Sequence, residues 1–161
     1  MLHIRIVAVG KLKEKYLKEG LQEYIKRLGA YSRLEIMEVP DEKVPDKPSD
    51  TEAELIKRKE GDRLLAGAGE KDFIGVALDP RGEMWSTEDL AEQMRGWELY
   101  GPNLVVFFIG GTLGLSKEVH AACKAKWSLS RLTFPHQLVR LILLEQVYRG
   151  FKVNRGETYH R

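Results

Sequence analysis

Residues 2 to 9, Leu-His-Ile-Arg-Ile-Val-Ala-Val, are apolar, rich in β-branched side chains and closed by Gly10, the pattern of a buried strand. Leu17, Leu21, Tyr24, Ile25 and Leu28 then recur at helical spacing, and Gly29 stands where a helix stops. Residues 34 to 39 alternate as a second strand, and Pro40, Pro45 and Pro48 among Asp and Lys predict an exposed loop. Ser49 with Glu52 three residues on is a capping box that opens a helix to about Ala66. Residues 72 to 78 read as a third strand closed by the turn Asp79-Pro80-Arg81-Gly82. Ser86 caps a helix that shows Leu90, Met94 and Trp97 on one face, and residues 103 to 109 form an almost unbroken apolar strand. Ser116 can cap a short helix through Cys123, and residues 126 to 130 read as a last strand. Pro135 starts a long helix from His136 to about Phe151, with residues 152 to 161 as a tail. This βαβαβαβαβα order predicts an α/β fold, one parallel sheet with helices on both faces, in a single domain over residues 1 to 161.

Composition narrows the class. With 161 residues, 43% apolar and 31% charged, the chain can bury a core without disulfides or metals. Cys123 is the single cysteine, so neither an internal bridge nor a Cys-rich zinc site is expected, and a reducing compartment fits. The apolar stretch ending at Val9 is too short for a signal peptide, and residues 104 to 109 are too few to span a bilayer. A cytoplasmic protein with no membrane partner is expected. The net charge of +2 is unevenly spread: residues 35 to 62 hold ten Asp/Glu against five Lys/Arg, whereas residues 115 to 161 hold nine Lys/Arg against three Glu. A basic C-terminal third suits a polyanion such as RNA, and equally a solvated surface.

In an open α/β sheet, ligands bind at the carboxyl ends of the strands, so the loops after buried strands are searched first. Gly110-Gly111-Thr112-Leu113-Gly114 lets a backbone approach a ligand closely, although alone it also reads as a tight strand-to-helix turn. Its spacing fits neither a dinucleotide fingerprint nor a P-loop, which weakens nicotinamide and nucleoside triphosphate readings. A side chain at Gly110 is expected to fill space that a ligand needs while sparing the fold. Leu78 ends a buried strand and can line a wall. Leu129, Ser130, Arg131, Leu132, Thr133 and Phe134 mix small polar and apolar groups ahead of Pro135; such a stretch can hold an adenine or serve as an apolar linker.

The last helix is apolar almost all round, leaving a narrow stripe of Glu145, Arg149 and Lys152, so a second subunit is expected to cover one face. Arg140 lies on the face of Leu144, Val147 and Phe151, where a buried guanidinium must be paired, with a carboxylate of the fold or with an anionic group of a ligand. The chain closes on Tyr159, His160 and Arg161, a phenol, an imidazole and a guanidinium together at an end that is ordinarily featureless.

Val7-Ala8-Val9-Gly10-Lys11, Ile109-Gly110-Gly111 with Gly114-Leu115, and Thr133-Phe134-Pro135-His136-Gln137-Leu138-Val139-Arg140 together carry a resemblance. So do Glu145-Gln146-Val147-Tyr148-Arg149 and Tyr159-His160-Arg161, so that it runs over essentially the whole chain. The chain resembles the ribosomal RNA large subunit methyltransferase H family, SPOUT-type enzymes that methylate N3 of a pseudouridine in 23S rRNA. The resemblance implies a C-terminal trefoil knot, S-adenosylmethionine as cofactor, and a homodimer in which each active site borrows the partner's tail. It implies cofactor contacts at Leu78, Gly110 and residues 129 to 134. Because the basic surface is modest, the large subunit or the assembled ribosome is expected to present the target.

The imide N-H at N3 is a weak acid, so a base must remove its proton or a cation must stabilise its anion. Tyr159, His160 and His136 are the proton acceptors at hand, and which of them acts stays open; Arg140 or Arg161 can stabilise the anion or bind a phosphate. No metal is required. A non-catalytic RNA-binding or ribosome-assembly protein of the same fold is the competing reading.

Overall fold

The computed structural model describes residues 1–159 and contains ten elements: β1 (Leu2–Val9), α1 (Lys15–Leu28), β2 (Ser32–Val39), α2 (Asp50–Ala68) and β3 (Ile74–Met84). The second half holds α3 (Thr87–Tyr100), β4 (Leu104–Ile109), α4 (Lys117–Ala121), β5 (Ala125–Ser128) and α5 (His136–Asn154). The five strands form one sheet in the order β2-β1-β4-β3-β5, every pair parallel.

The unbroken apolar run of β4, and that of Ile6 to Val9 in β1, follow from burial on both faces. Ile4, Ile6, Val105 and Phe107 point into a core completed by Leu21 and Leu28 of α1, Leu90 and Met94 of α3, and Leu143, Leu144 and Val147 of α5. Their neighbours in sequence, Val7, Val9, Val106 and Phe108, meet Leu64 and Ala68 of α2 and Val119 of α4 on the other side. Side chains alternate faces along a strand, so a strand covered on both faces must be apolar throughout. The expected capping box of Ser49 with Glu52 forms, Ser86 caps α3 and makes a second box with Asp89, and Ser116 caps α4.

The boundaries differ from expectation where long-range pairing decides them. Asp79 to Gly82 does not end β3: pairing with β5 resumes at Glu83 after a register shift, so the proline segment is a bulge inside the strand. Pro80 has no N-H to donate, and the pairing of β3 with β4 stops at Leu78, which leaves this stretch free to leave the ladder. Helix α4 stops at Ala121 rather than Cys123, and β5 spans residues 125 to 128 rather than 126 to 130. Helix α5 runs to Asn154, whose side chain donates to the Ala91 carbonyl of α3 at 2.8 Å and so holds the last turn.

Helix α5 begins beside Gly10 at the end of β1, although β5, which precedes it, lies at the far edge of the sheet beyond β3. Residues 129 to 135 therefore cross the carboxyl ends of β3 and β4, a path compatible with the expected knot. Arg140, Leu143, Leu144, Val147, Tyr148 and Phe151 of α5 are buried, whereas Leu138, Val139, Leu141 and Ile142 are only half-buried. Among the described residues no helix is long and apolar enough to cross a membrane.

Candidate cofactor site and C-terminal cluster

Three adjacent strands bring the three candidate loops together. Leu78 on β3 is in register with Ile109 on β4 and with Trp127 on β5, so Gly110 and residues 129 to 134 leave the sheet on either side of Leu78. Arg131 ties two of the loops: its Nη1 donates to the carbonyls of Pro80 at 2.6 Å and Gly82 at 3.2 Å. Ser128 Oγ donates to the Ser130 carbonyl at 2.9 Å, and Ser130 Oγ accepts from the Leu132 amide at 3.0 Å, which gives residues 128 to 132 a set shape. Below them Trp127 stacks on Trp85 at 4.9 Å between ring centroids, with Trp97 and Phe107 against the pair. That aromatic anchor was not singled out in the sequence, where the three tryptophans stand far apart.

Gly111 and Gly114 bridge across a tight turn, the Gly114 amide donating to the Gly111 carbonyl at 3.0 Å. Gly114 has φ +89°, which side chains rarely tolerate, and opens onto free space. Gly110 has a different reason from the one expected. A Cβ there would lie 2.8 Å from the Gly114 carbonyl carbon and 3.1 Å from the Leu115 nitrogen, so it would strike the turn itself before any ligand. The expectation that a branched residue spares the fold is thereby corrected.

The donor set fits S-adenosylmethionine. Leu78, Leu129 and Phe134 are half-buried apolar walls, and among the described residues no backbone carbonyl accepts from the amides of Arg131, Thr133 or Phe134. An adenine needs such apolar faces with backbone donors and acceptors at its edge. Among the described residues no group of three or more His, Cys, Asp or Glu side chains is placed to hold a metal. Burial pushes the Cys123 thiol up to about 12, which leaves it inert as a nucleophile.

The remaining candidates divide. Arg140, 2% exposed, pairs with the Glu38 carboxylate and donates to the Gly10 carbonyl at 2.8 Å. Of the two roles open to it, the fold shows the carboxylate pairing. Burial works against the charge on Glu38, but Arg140 and the Leu12 amide outweigh it and hold this carboxyl below its usual range. His136 sits at the start of α5, with Nε2 4.0 Å from where a Gly10 Cβ would stand. Gln137 joins the same loop, accepting from the Lys13 amide and donating to the Lys11 carbonyl. Arg140 and Gln137 thus fix the β1–α1 loop beside His136.

Tyr159 lies elsewhere. Its hydroxyl is 3.3 Å from that of Tyr24, its ring meets Tyr148 edge-on at 5.0 Å, and the Arg149 guanidinium sits 4.4 Å over it. Burial, and then the Tyr24 hydroxyl, raise its pKa, so in this position it holds its proton. Tyr148 is twelve residues along α5 from His136, about 18 Å at the helical rise. His160 and Arg161 lie outside the described residues. The sequence reading also passed over His120, whose Nε2 is 3.2 Å from Asp79 Oδ2, and over Glu60 beneath the glycine turn.

Residues 2–160 match the model of a family described as predicted SPOUT methyltransferases. The chain belongs to this family. It is 93% identical over 161 residues, all of both chains, to the ribosomal RNA large subunit methyltransferase H of Heliobacterium modesticaldum. It is 51% identical over 160 residues to the protein of that name from Carboxydothermus hydrogenoformans, covering 99% of this chain and 100% of the relative. In solved structures, a probable methylase family protein from Haemophilus influenzae aligns over 98% of this chain and 70% of its own, with a TM-score of 0.56 at 10% identity, which shows a shared fold. A SPOUT methyltransferase uses S-adenosylmethionine, the group whose chemistry the three loops suit.

Proposed function

We propose that this S-adenosylmethionine-dependent methyltransferase of ribosomal RNA acts on N3 of a pseudouridine in 23S rRNA, as a cytoplasmic homodimer, with the large subunit or the assembled ribosome presenting the target. Leu78, Gly110 and Leu129, Ser130, Arg131, Leu132, Thr133 and Phe134 would hold the cofactor, which when bound supplies an electrophilic methyl group. His136, Tyr159, His160 and Arg161 would handle the N3 proton and the developing charge. Arg140 positions the β1–α1 loop rather than touching substrate.

The observation that carries this reading is the separation of Tyr159 from the three loops. In its own chain Tyr159 packs on α1 and α5, about three helical turns below the end of the helix nearest the loops. A tail that takes part in the chemistry must therefore reach a neighbouring subunit. The half-buried Leu138, Val139 and Ile142 of α5 support a second copy packed against that helix. Proton removal at N3 needs only a base and a nearby cation, and orientation of the reacting nitrogen in a dry site supplies much of the remaining acceleration.

The test is to delete the gene, analyse 23S rRNA by mass spectrometry for loss of one methyl group on a pseudouridine, and restore it with the purified protein. Restoration on ribosomes but not on a short isolated hairpin at physiological salt supports presentation by the ribosome; an unchanged nucleotide profile refutes the assignment. Sedimentation showing a stable folded monomer at micromolar concentration would overturn the dimer.

A further inference from the structure

Two successive residues in the middle of α2 meet the glycine turn and the start of α4 that follows it. A Cβ on Gly61 would collide with Ser116 Oγ, the cap of α4. Gly111 rests on the carboxyl group of Glu60: a Cβ there would lie 3.0 Å from Oε1, 3.2 Å from Oε2 and 3.1 Å from Val9 Cγ1. Glu60 is 3% exposed. Its Oε2 accepts from the Glu42 amide at 2.9 Å, while Oε1 is buried and has no partner among the described residues. The charged groups around it are Asp41 and Glu42, from the segment after β2, and Arg63, one turn on along α2. Arg63 is engaged elsewhere, with Glu42 at 2.5 Å and the Pro40 carbonyl at 2.9 Å, and Lys59 also turns to Glu42, at 3.9 Å.

We propose that Glu60 is a positioning residue for the cofactor turn: as an uncharged carboxylic acid it braces Gly111 from below and ties the turn to the segment after β2. Losing the group, or its proton, then displaces the turn and weakens cofactor binding. This rests on the assignment of Gly110 and its turn to the cofactor site. An ionised Glu60 would place an unpaired charge in a dry pocket beside two other acids, whereas the neutral acid carries no charge there and keeps the Glu42 hydrogen bond. Burial first, then Asp41 and Glu42, raise its pKa, against the opposing pull of the Glu42 amide and Arg63. A raised folded-state value means that the stabilising contribution is full below the ordinary carboxylate value and is lost as pH rises through the raised one.

The experiment is calorimetric titration of S-adenosylmethionine into the full-length wild type, Glu60→Gln and Glu60→Ala between about pH 5 and 8, with thermal melting of each protein. Glu60→Gln, a permanently neutral mimic, should bind at least as tightly as wild type, with little pH dependence, while wild-type affinity falls relative to it as pH rises. Glu60→Ala should bind at least about tenfold more weakly even where melting shows it folded. If wild type and Glu60→Gln share one pH profile, the proton has no part and the proposal fails. A folded Glu60→Ala with wild-type affinity also overturns it, while the cofactor assignment survives. Absence of binding by wild type overturns both.

Discussion

Replacing Gly110 by alanine adds one methyl group where the structure has no room for it. The new Cβ would stand 2.8 Å and 2.9 Å from the carbonyl carbon and oxygen of Gly114 and 3.1 Å from the Leu115 nitrogen. Ordinary contacts of this kind sit at about 3.5 to 4.0 Å, so the two arms of the turn must separate by roughly 0.5 to 1 Å. Neither arm gives easily: the Gly114 amide is bonded to the Gly111 carbonyl, and Leu115 and Ser116 are buried. Overpacking of this kind costs about 1 to 3 kcal/mol. In a domain of this size each kcal/mol lowers the melting temperature by about 2 to 4 °C, so a fall of roughly 2 to 12 °C is expected.

The same displacement moves a wall of the cofactor site, so S-adenosylmethionine affinity should fall at least about tenfold. Gly96→Ala is the control: it lies within α3, nothing stands within 4 Å of its added Cβ, and helix propensity favours alanine by about 0.5 to 1 kcal/mol. Melting curves and calorimetry on both variants decide the matter. A Gly110→Ala protein that melts with wild type would refute the packing argument. One that melts early but binds cofactor unchanged would confine the turn to a structural role.

Arg131→Ala should weaken S-adenosylmethionine binding by about three- to tenfold with little change in melting, because it cuts the tie from residues 128 to 132 to the Pro80 and Gly82 carbonyls at an exposed position. Arg140→Met should cost about 3 kcal/mol, the low end for a broken buried pair because Glu38 keeps part of its hydration. It should also remove an acid-side effect: Glu38 stabilises the fold above its ordinary carboxylate value and loses that contribution as pH falls through its lowered one, so melting between about pH 3 and 7 should flatten. Deleting residues 159 to 161 should leave S-adenosylmethionine affinity within about threefold while lowering single-turnover methyl transfer to ribosomes by at least about a hundredfold. Equal single-turnover rates would leave His136 as the base.

The elements were legible because each is written in neighbouring residues. The capping boxes at Ser49 and Ser86, the helical spacing of Leu17, Leu21 and Leu28, and the two-faced apolar run of β4 all act within a turn or two of the chain. The site was legible at the level of loops for the same reason, since a loop that follows a buried parallel strand must emerge at the ligand-binding end. What the pattern could not carry is anything decided by who sits beside whom. The bulge at Asp79 to Gly82 looks like a terminal turn until β5, over forty residues later, pairs beyond it. Arg140 called for an anionic partner that local sequence could not name, until β2 placed Glu38 against it, across 102 positions of sequence. A path from the edge of the sheet back to β1 would be rejected on local grounds, because chains so rarely thread themselves. Glu60 shows the limit most sharply. On the helix of residues 50 to 68 it is one of several acids in a charged stretch, and nothing local distinguishes it from Glu54. Only the arrival of Gly111 above it and of Glu42 beside it turns that carboxyl into a buried group with an unmet hydrogen bond. A residue's chemistry is local, but whether that chemistry is solvated, paired or left unmet is set by the fold.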